Sequence, residues 1–128
     1  MVDQVSVVVV ARASPLRASL TSLLYSISGI AVVYEVDEGT ACLRLMAAQR
    51  PALLLLDASL PDDRAWLLLR QIKTAWPATK CVVLADTAKL RRHAEEAGAH
   101  WALLKGFPAA KLSTLLEQLL QGEDILQL

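Results

Sequence analysis

The stretch that most narrows the folds open to this chain is RPALLLLDASLPDD, residues 50–63. Within it, Ala52 to Leu56 is an unbroken apolar run. A strand with one wet face alternates apolar and polar residues, so an unbroken run reads as a strand covered on both faces, as inside a parallel sheet. The run stops at Asp57. A carboxylate there stands at the carboxyl end of a central strand, where open α/β sheets gather their ligand chemistry. The plainer alternative is that Asp57 caps the strand or opens a turn.

The flanking segments repeat a strand–helix unit. Val5 to Val10 is a β-branched run and the first strand. Ser14-Pro15 then starts a helix, with a hydroxyl to cap free amides and proline at the first helical position. Leu16, Leu20, Leu23, Leu24 and Ile27 follow at helical spacing until Gly29. Ile30 to Glu35 is the second strand. Asp37, Glu38 and Gly39 form a turn, Thr40 is the expected N-cap, and Leu43, Leu45, Met46 and Ala47 carry the second helix to Arg50-Pro51.

Beyond the central strand, Pro61, Asp62 and Asp63 make a loop, and 64–75 is a helix packed through Trp66, Leu68, Leu69 and Ile72. Pro77 stops it. Lys80 to Leu84 is the fourth strand, and 88–97 is a short polar helix with Lys89, Arg91, Arg92, Glu95 and Glu96 towards water, closed by Gly98. Trp101 to Leu104 is the fifth strand, ended by Lys105 and Gly106. A last helix near Pro108 carries one apolar face of Leu112, Leu115, Leu116, Leu119 and Leu120. Strands alternating with helices make a (βα)5 chain, and right-handed crossovers then favour a doubly wound parallel sheet, an α/β/α three-layer architecture. No repeat or linker interrupts it, so 1–121 reads as one domain and 122–128 as a tail or the start of a linker.

Composition excludes several functions. With 55% apolar residues in 128, there is material for a single core. Thirteen acidic residues balance thirteen basic ones, so no global field draws the chain to nucleic acid or to a charged membrane. Cys42 and Cys81 lie apart inside apolar segments, which suits buried free thiols in a reducing compartment. Asp3 and Gln4 precede the first apolar run with no basic n-region, and the longest uncharged stretch, 18–34, is broken by Thr21, Ser22, Ser26, Ser28 and Gly29. A cytoplasmic protein without membrane spans is expected.

Four fragments, in order, carry a family resemblance: EVDEGTACL, LLLLDASLPD, WPATKCVVLA and AGAHWALLKGF. With them the whole chain resembles the receiver domain of bacterial two-component response regulators, of the subfamily usually followed by a helix-turn-helix output domain. The resemblance implies the flavodoxin-like strand order 2-1-3-4-5 and a chemistry of phosphoryl transfer from a sensor histidine kinase to an aspartate. That chemistry uses a carboxylate nucleophile, a Mg²⁺ ion, a lysine that holds the phosphoryl group and a hydroxyl that moves to it. Asp57 matches the phospho-acceptor and Lys105 the phosphoryl-binding lysine. Ser59 matches the position whose backbone carbonyl ligates the metal.

Other positions depart from the pattern. Ala11 and Arg12 stand where the family places its metal-binding acids, Ala85 where it places the hydroxyl, and Ala102, beside Trp101, where it places an aromatic switch residue. The segment between strands four and five is also shorter than usual. Counting Asp57 against Arg12 and Lys105 gives a pocket of net plus one, unattractive to a divalent ion. The expectation is therefore that Mg²⁺ is not held tightly and that Arg12 takes its place and pairs with Asp57, against the alternative that Arg12 points to solvent.

Other polar residues receive plainer readings. Asp62, Asp63 and Asp86 are expected as turn formers, with a rescued metal site as the alternative. His93 and His100 are expected at the surface, and Trp66, Trp76 and Trp101 in packing. Three functions remain open. The first is a receiver-like module that has left the phosphate cycle and acts by partner docking or homodimerisation through its last two helices and strand five. The second is a working receiver phosphorylated on Asp57. The third is a flavin or nucleotide enzyme on the same fold, disfavoured because ARASPLRAS lacks a phosphate-cradling glycine pattern.

Overall fold

Five parallel strands in the order β2-β1-β3-β4-β5 form the middle layer of the computed structural model, which describes residues 4–60 and 64–121. The elements alternate without exception: β1 (Val5–Val10), α1 (Pro15–Tyr25), β2 (Ile30–Val36), α2 (Gly39–Gln49), β3 (Leu53–Asp57), α3 (Arg64–Ala75), β4 (Lys80–Ala85), α4 (Ala88–Glu96), β5 (Trp101–Leu104) and α5 (Ala109–Leu120). The expected tail at 122–128 and the loop residues Pro61, Asp62 and Asp63 lie outside the described residues.

The unbroken apolar run does what a doubly covered strand requires. Leu53 and Leu55 face one core with Val7, Val9, Val82 and Leu84, under α1 and α5. Leu54 and Leu56 face the other with Val8, Val10, Cys81 and Val83, under α2, α3 and α4. Both cysteines are buried and unpaired. The three tryptophans pack at the edges of these clusters, Trp101 on the first and Trp66 and Trp76 on the second. No helix among the described residues is long and apolar enough to cross a membrane.

Helix starts follow local chemistry where a hydroxyl is available. Ser14 Oγ accepts the Arg17 amide and Thr87 Oγ1 accepts the Leu90 amide, closing the first turns of α1 and α4. Helix α2 differs from expectation, because its N-cap is Glu38, without a side-chain cap bond, and Thr40 lies inside the first turn. Its buried face is Cys42 and Met46, while Ala47 is exposed. Gly98 closes the turn after α4 at φ +100°, a conformation open to glycine without steric cost.

Neither histidine is the free surface group that the polar surroundings suggest. His93 sets its ring edge-on to Trp66, with centroids 6.1 Å apart. His100 Nδ1 accepts the Cys81 amide at 3.0 Å, while its own amide donates to the Cys81 carbonyl at 2.8 Å. The imidazole thus extends the β4–β5 ladder by one acceptor where the strand itself has not begun.

Candidate functional site

Register decides which side chains meet at the carboxyl edge of the sheet. Asp57 lies opposite Leu84, and Ala85 opposite Leu104. One residue further, the Lys105 amide donates to the Ala85 carbonyl at 2.8 Å. Asp57, Asp86 and Lys105 therefore leave three adjacent strands at the same edge.

Lys105 Nζ sits between the two carboxylates, 2.9 Å from Asp57 Oδ1 and 3.0 Å from Asp86 Oδ1. Asp57 is the enclosed partner at 12% side-chain exposure, and Asp86 the open one at 48%. Ser59 completes the site: its amide and its hydroxyl both donate to Asp57 Oδ1, at 2.9 and 2.8 Å. Asp57 Oδ1 thus takes three donors, and among the described residues these contacts leave Oδ2 without a partner.

These contacts set the charge states. Partial burial pushes the Asp57 carboxyl upward, but the hydrogen bonds from Lys105 and Ser59 outweigh it and hold the group below the usual carboxylate range. For Lys105, burial acts downward and the bonds to Asp57 and Asp86 prevail, so its ammonium is held above the usual lysine value. Both shifts favour the ion pair.

Several expected features are placed differently. Arg12 is exposed and forms no ion pair with Asp57, because Lys105 already fills that role from β5. The guanidinium at the end of β1 belongs instead to Arg17, which donates from Nη1 to the Ala11 carbonyl at 3.0 Å and lies 3.7 Å from Glu35. The net charge changes accordingly. The ionic set in contact is two carboxylates and one ammonium, a net of minus one rather than plus one. Asp86 is a member of the site rather than a solvated turn former, while Asp62 and Asp63 lie outside the described residues.

Ala11 and Ala85 are fully enclosed, at 1% and 0% exposure, and offer neither carboxylate nor hydroxyl. Ala102 is partly buried on β5 beside Trp101. Among the described residues there is no group of three or more His, Cys, Asp or Glu side chains placed to hold a metal ion. The hydroxyl that does reach Asp57 comes from Ser59, a position singled out above for its carbonyl alone.

An open α/β sheet with an aspartate at the tip of its central strand and a lysine reaching it from strand five is the arrangement that the resemblance to receiver domains implies. A family model of the response regulator receiver domain matches residues 7–117, and the chain belongs to that family. The response regulator GacA of Pseudomonas aeruginosa is 26% identical over 121 residues, covering 93% of this chain and 56% of the relative, so the chain spans about half of that protein's length.

Among solved structures, the receiver domain of the putative response regulator NarL from Mycobacterium tuberculosis superposes with a TM-score of 0.81 at 24% identity, covering 94% of this chain and 99% of that one. The isolated receiver domain of RcsB from Salmonella enterica serovar Typhimurium, in the presence of the phosphomimetic BeF3⁻, gives 0.83 at 20% identity over 96% and 93%. At these identities the likeness concerns the fold. The family's members are signalling modules rather than enzymes, and they interact with histidine kinases and output domains.

Proposed function

We propose that this chain is an atypical receiver whose acceptor carboxylate is neutralised by Lys105 in place of a divalent ion and which acts through protein contacts more than through an acyl-phosphate cycle. The observation that carries this reading is the seating of the Lys105 ammonium on Asp57 Oδ1, beside an edge of the pocket where Ala11 and Arg12 supply no carboxylate. Mg²⁺ dehydrates reluctantly and needs a near-octahedral set of oxygens. At Asp57 Oδ1 it meets an oxygen already accepting three donors, and at Oδ2 it finds no second carboxylate from Ala11 or Arg12 to complete its set. The mismatch in donor set supports weak metal binding even though the contacting ionic groups sum to a net anion.

The partner in this reading is a sensor kinase or another signalling protein in the cytoplasm, and nucleic acid is not bound directly by the domain. The docking face is α4 and β5, where Arg91, Glu95, His100, Trp101 and Ala102 line a shallow groove at the sheet's edge strand. Self-association through β5 and the last two helices is the homotypic form of the same contact. The test is incubation with acetyl phosphate and Mg²⁺ followed by intact-mass measurement. The expected spectrum shows unmodified protein. A phosphoryl adduct on most molecules, abolished in Asp57→Asn, overturns the proposal.

One observation favours a second reading, a receiver phosphorylated on Asp57. The unpartnered Oδ2 is a free lone pair held in place by three donors on its sister oxygen, a fair description of an oriented nucleophile. The same mass measurement decides between the two.

A further inference from the structure

Lys105 serves two carboxylates, and only one of them belongs to the acceptor. The backbone gives it little choice. Leu104 lies opposite Ala85, and the Lys105 amide donates to the Ala85 carbonyl, so Lys105 and Asp86 leave their strands side by side. Asp86 then turns its carboxylate to Nζ at 3.0 Å, while Asp57 Oδ1 lies at 2.9 Å. An ammonium has three protons to donate and no fixed fork geometry. Two of them are spoken for, each by an anion.

A phosphoryl group on Asp57 brings oxyanions that need those same protons. Asp57 keeps a claim on Lys105 through its own oxygen, so a phosphoryl oxygen shares the ammonium with Asp86: it has the third proton to draw on, and gains a second only by displacing Asp86. Asp86 also presents a like charge to the incoming group, in a partly desolvated site where opposed charges weigh more than in water. We propose that Asp86 is a built-in oxyanion that occupies the phosphoryl-binding face of Lys105 and keeps the pocket charge-satisfied without phosphate. The inference rests on the reading above that Asp57 and Lys105 keep the family's acceptor and phosphoryl-binding places. Asp86 acts through Lys105 and is a positioning residue, with no part in any bond made or broken.

The experiment is a titration with inorganic phosphate, followed on the side-chain ammonium resonance of Lys105 by nitrogen-detected NMR, in the wild-type domain, Asp86→Asn and Asp86→Glu. Asp86 is half exposed, and Asp86→Ser provides a second anion-free variant if the amide perturbs folding. Asp86→Asn and Asp86→Ser are expected to respond at about tenfold lower phosphate than the wild type, and Asp86→Glu at the wild-type concentration. Lys105→Met, which has no ammonium at this position, serves to assign the resonance that is followed. Equal phosphate requirements in the anionic and the neutral forms of position 86 overturn the inference. Phosphate binding needs neither metal nor covalent transfer, so an efficiently phosphorylated wild-type protein overturns the proposed function alone, and a flat titration overturns the inference alone.

Discussion

Lys105 Nζ and Asp57 Oδ1 meet at 2.9 Å across two strands of the sheet, and each holds the other in its charged form. The Asp57 value is lowered in the fold, so its contribution to stability is present above the ordinary carboxylate range and is lost as pH falls through the depressed value. The Lys105 value is raised, so its share is present below the ordinary lysine value and is lost as pH rises through the elevated one. Lys105→Met removes the ammonium and leaves the partial burial of Asp57, which acts upward. Carboxylate carbon NMR is expected to show the Asp57 midpoint moving to higher pH in Lys105→Met. A midpoint that stays in place shows that Ser59 alone depresses it.

The imidazole of His100 accepts the Cys81 amide, which only a neutral ring nitrogen can do. Burial, together with the charges of Lys73 and Lys80, lowers the His100 value. Stability tied to this bond is complete above the ordinary histidine range, and it drains away as pH falls through the lowered value. His100→Phe keeps the ring volume and orphans a buried amide, a loss of about 1–3 kcal/mol. Urea unfolding at neutral pH is expected to show it, with the variant's stability flatter between neutral and mildly acidic pH than the wild type's. Identical slopes in both proteins contradict the assignment.

The exposed Tyr25 is not idle surface. Its hydroxyl accepts the Val33 amide at 3.2 Å and makes a longer 3.5 Å contact to the Val33 carbonyl. Strand β2 ends the sheet, so these outward backbone groups have no strand partner. Thr21 and Arg17, one and two helical turns earlier on α1, reach Glu35 on the same strand. Together they close an edge that otherwise invites strand addition. Tyr25→Phe removes the hydroxyl, with an expected cost of about 1 kcal/mol. Faster hydrogen exchange at the Val33 amide and a rise in concentration-dependent association are the readouts. Unchanged exchange at Val33 rules the edge-closing role out.

Much of this architecture could be read from particular residues. The run through Leu53 to Leu56 announced a doubly covered strand because no polar residue breaks it, and Gly98 marked a turn that needs positive φ. What escaped was set by register and by reach. Asp86 looks like any turn aspartate until the pairing of Ala85 with Leu104 puts Lys105 beside it. Arg12 and Arg17 are both cations after β1, and only the helix geometry of α1 returns Arg17 to the Ala11 carbonyl. His100 reads as a surface group because a backbone acceptor role leaves no mark in a pattern of side-chain polarity.

Cys42 and Cys81 share one buried cluster, between α2 and the sheet, and neither is exposed to solvent. Burial, with the neighbouring Cys81, pushes the Cys42 thiol up to about 12. Burial likewise pushes Cys81 to about 11, against a small opposing effect of Lys73. The thiolate is the reactive form, and at pH 8 values at these levels leave about one molecule in a thousand ionised at Cys81 and about one in ten thousand at Cys42. Low ionisation and the lack of any path for a reagent act together, so alkylation has to wait for the fold to open. Iodoacetamide at pH 8 is therefore expected to leave the native domain unmodified on a timescale that fully labels a urea-unfolded control. Both thiols should become reactive over the same urea range in which far-UV circular dichroism is lost, since they report one cooperative core. Labelling of Cys42 well before Cys81 indicates instead that α2 separates from the sheet on its own, and labelling of either in the native state refutes the burial on which this prediction stands.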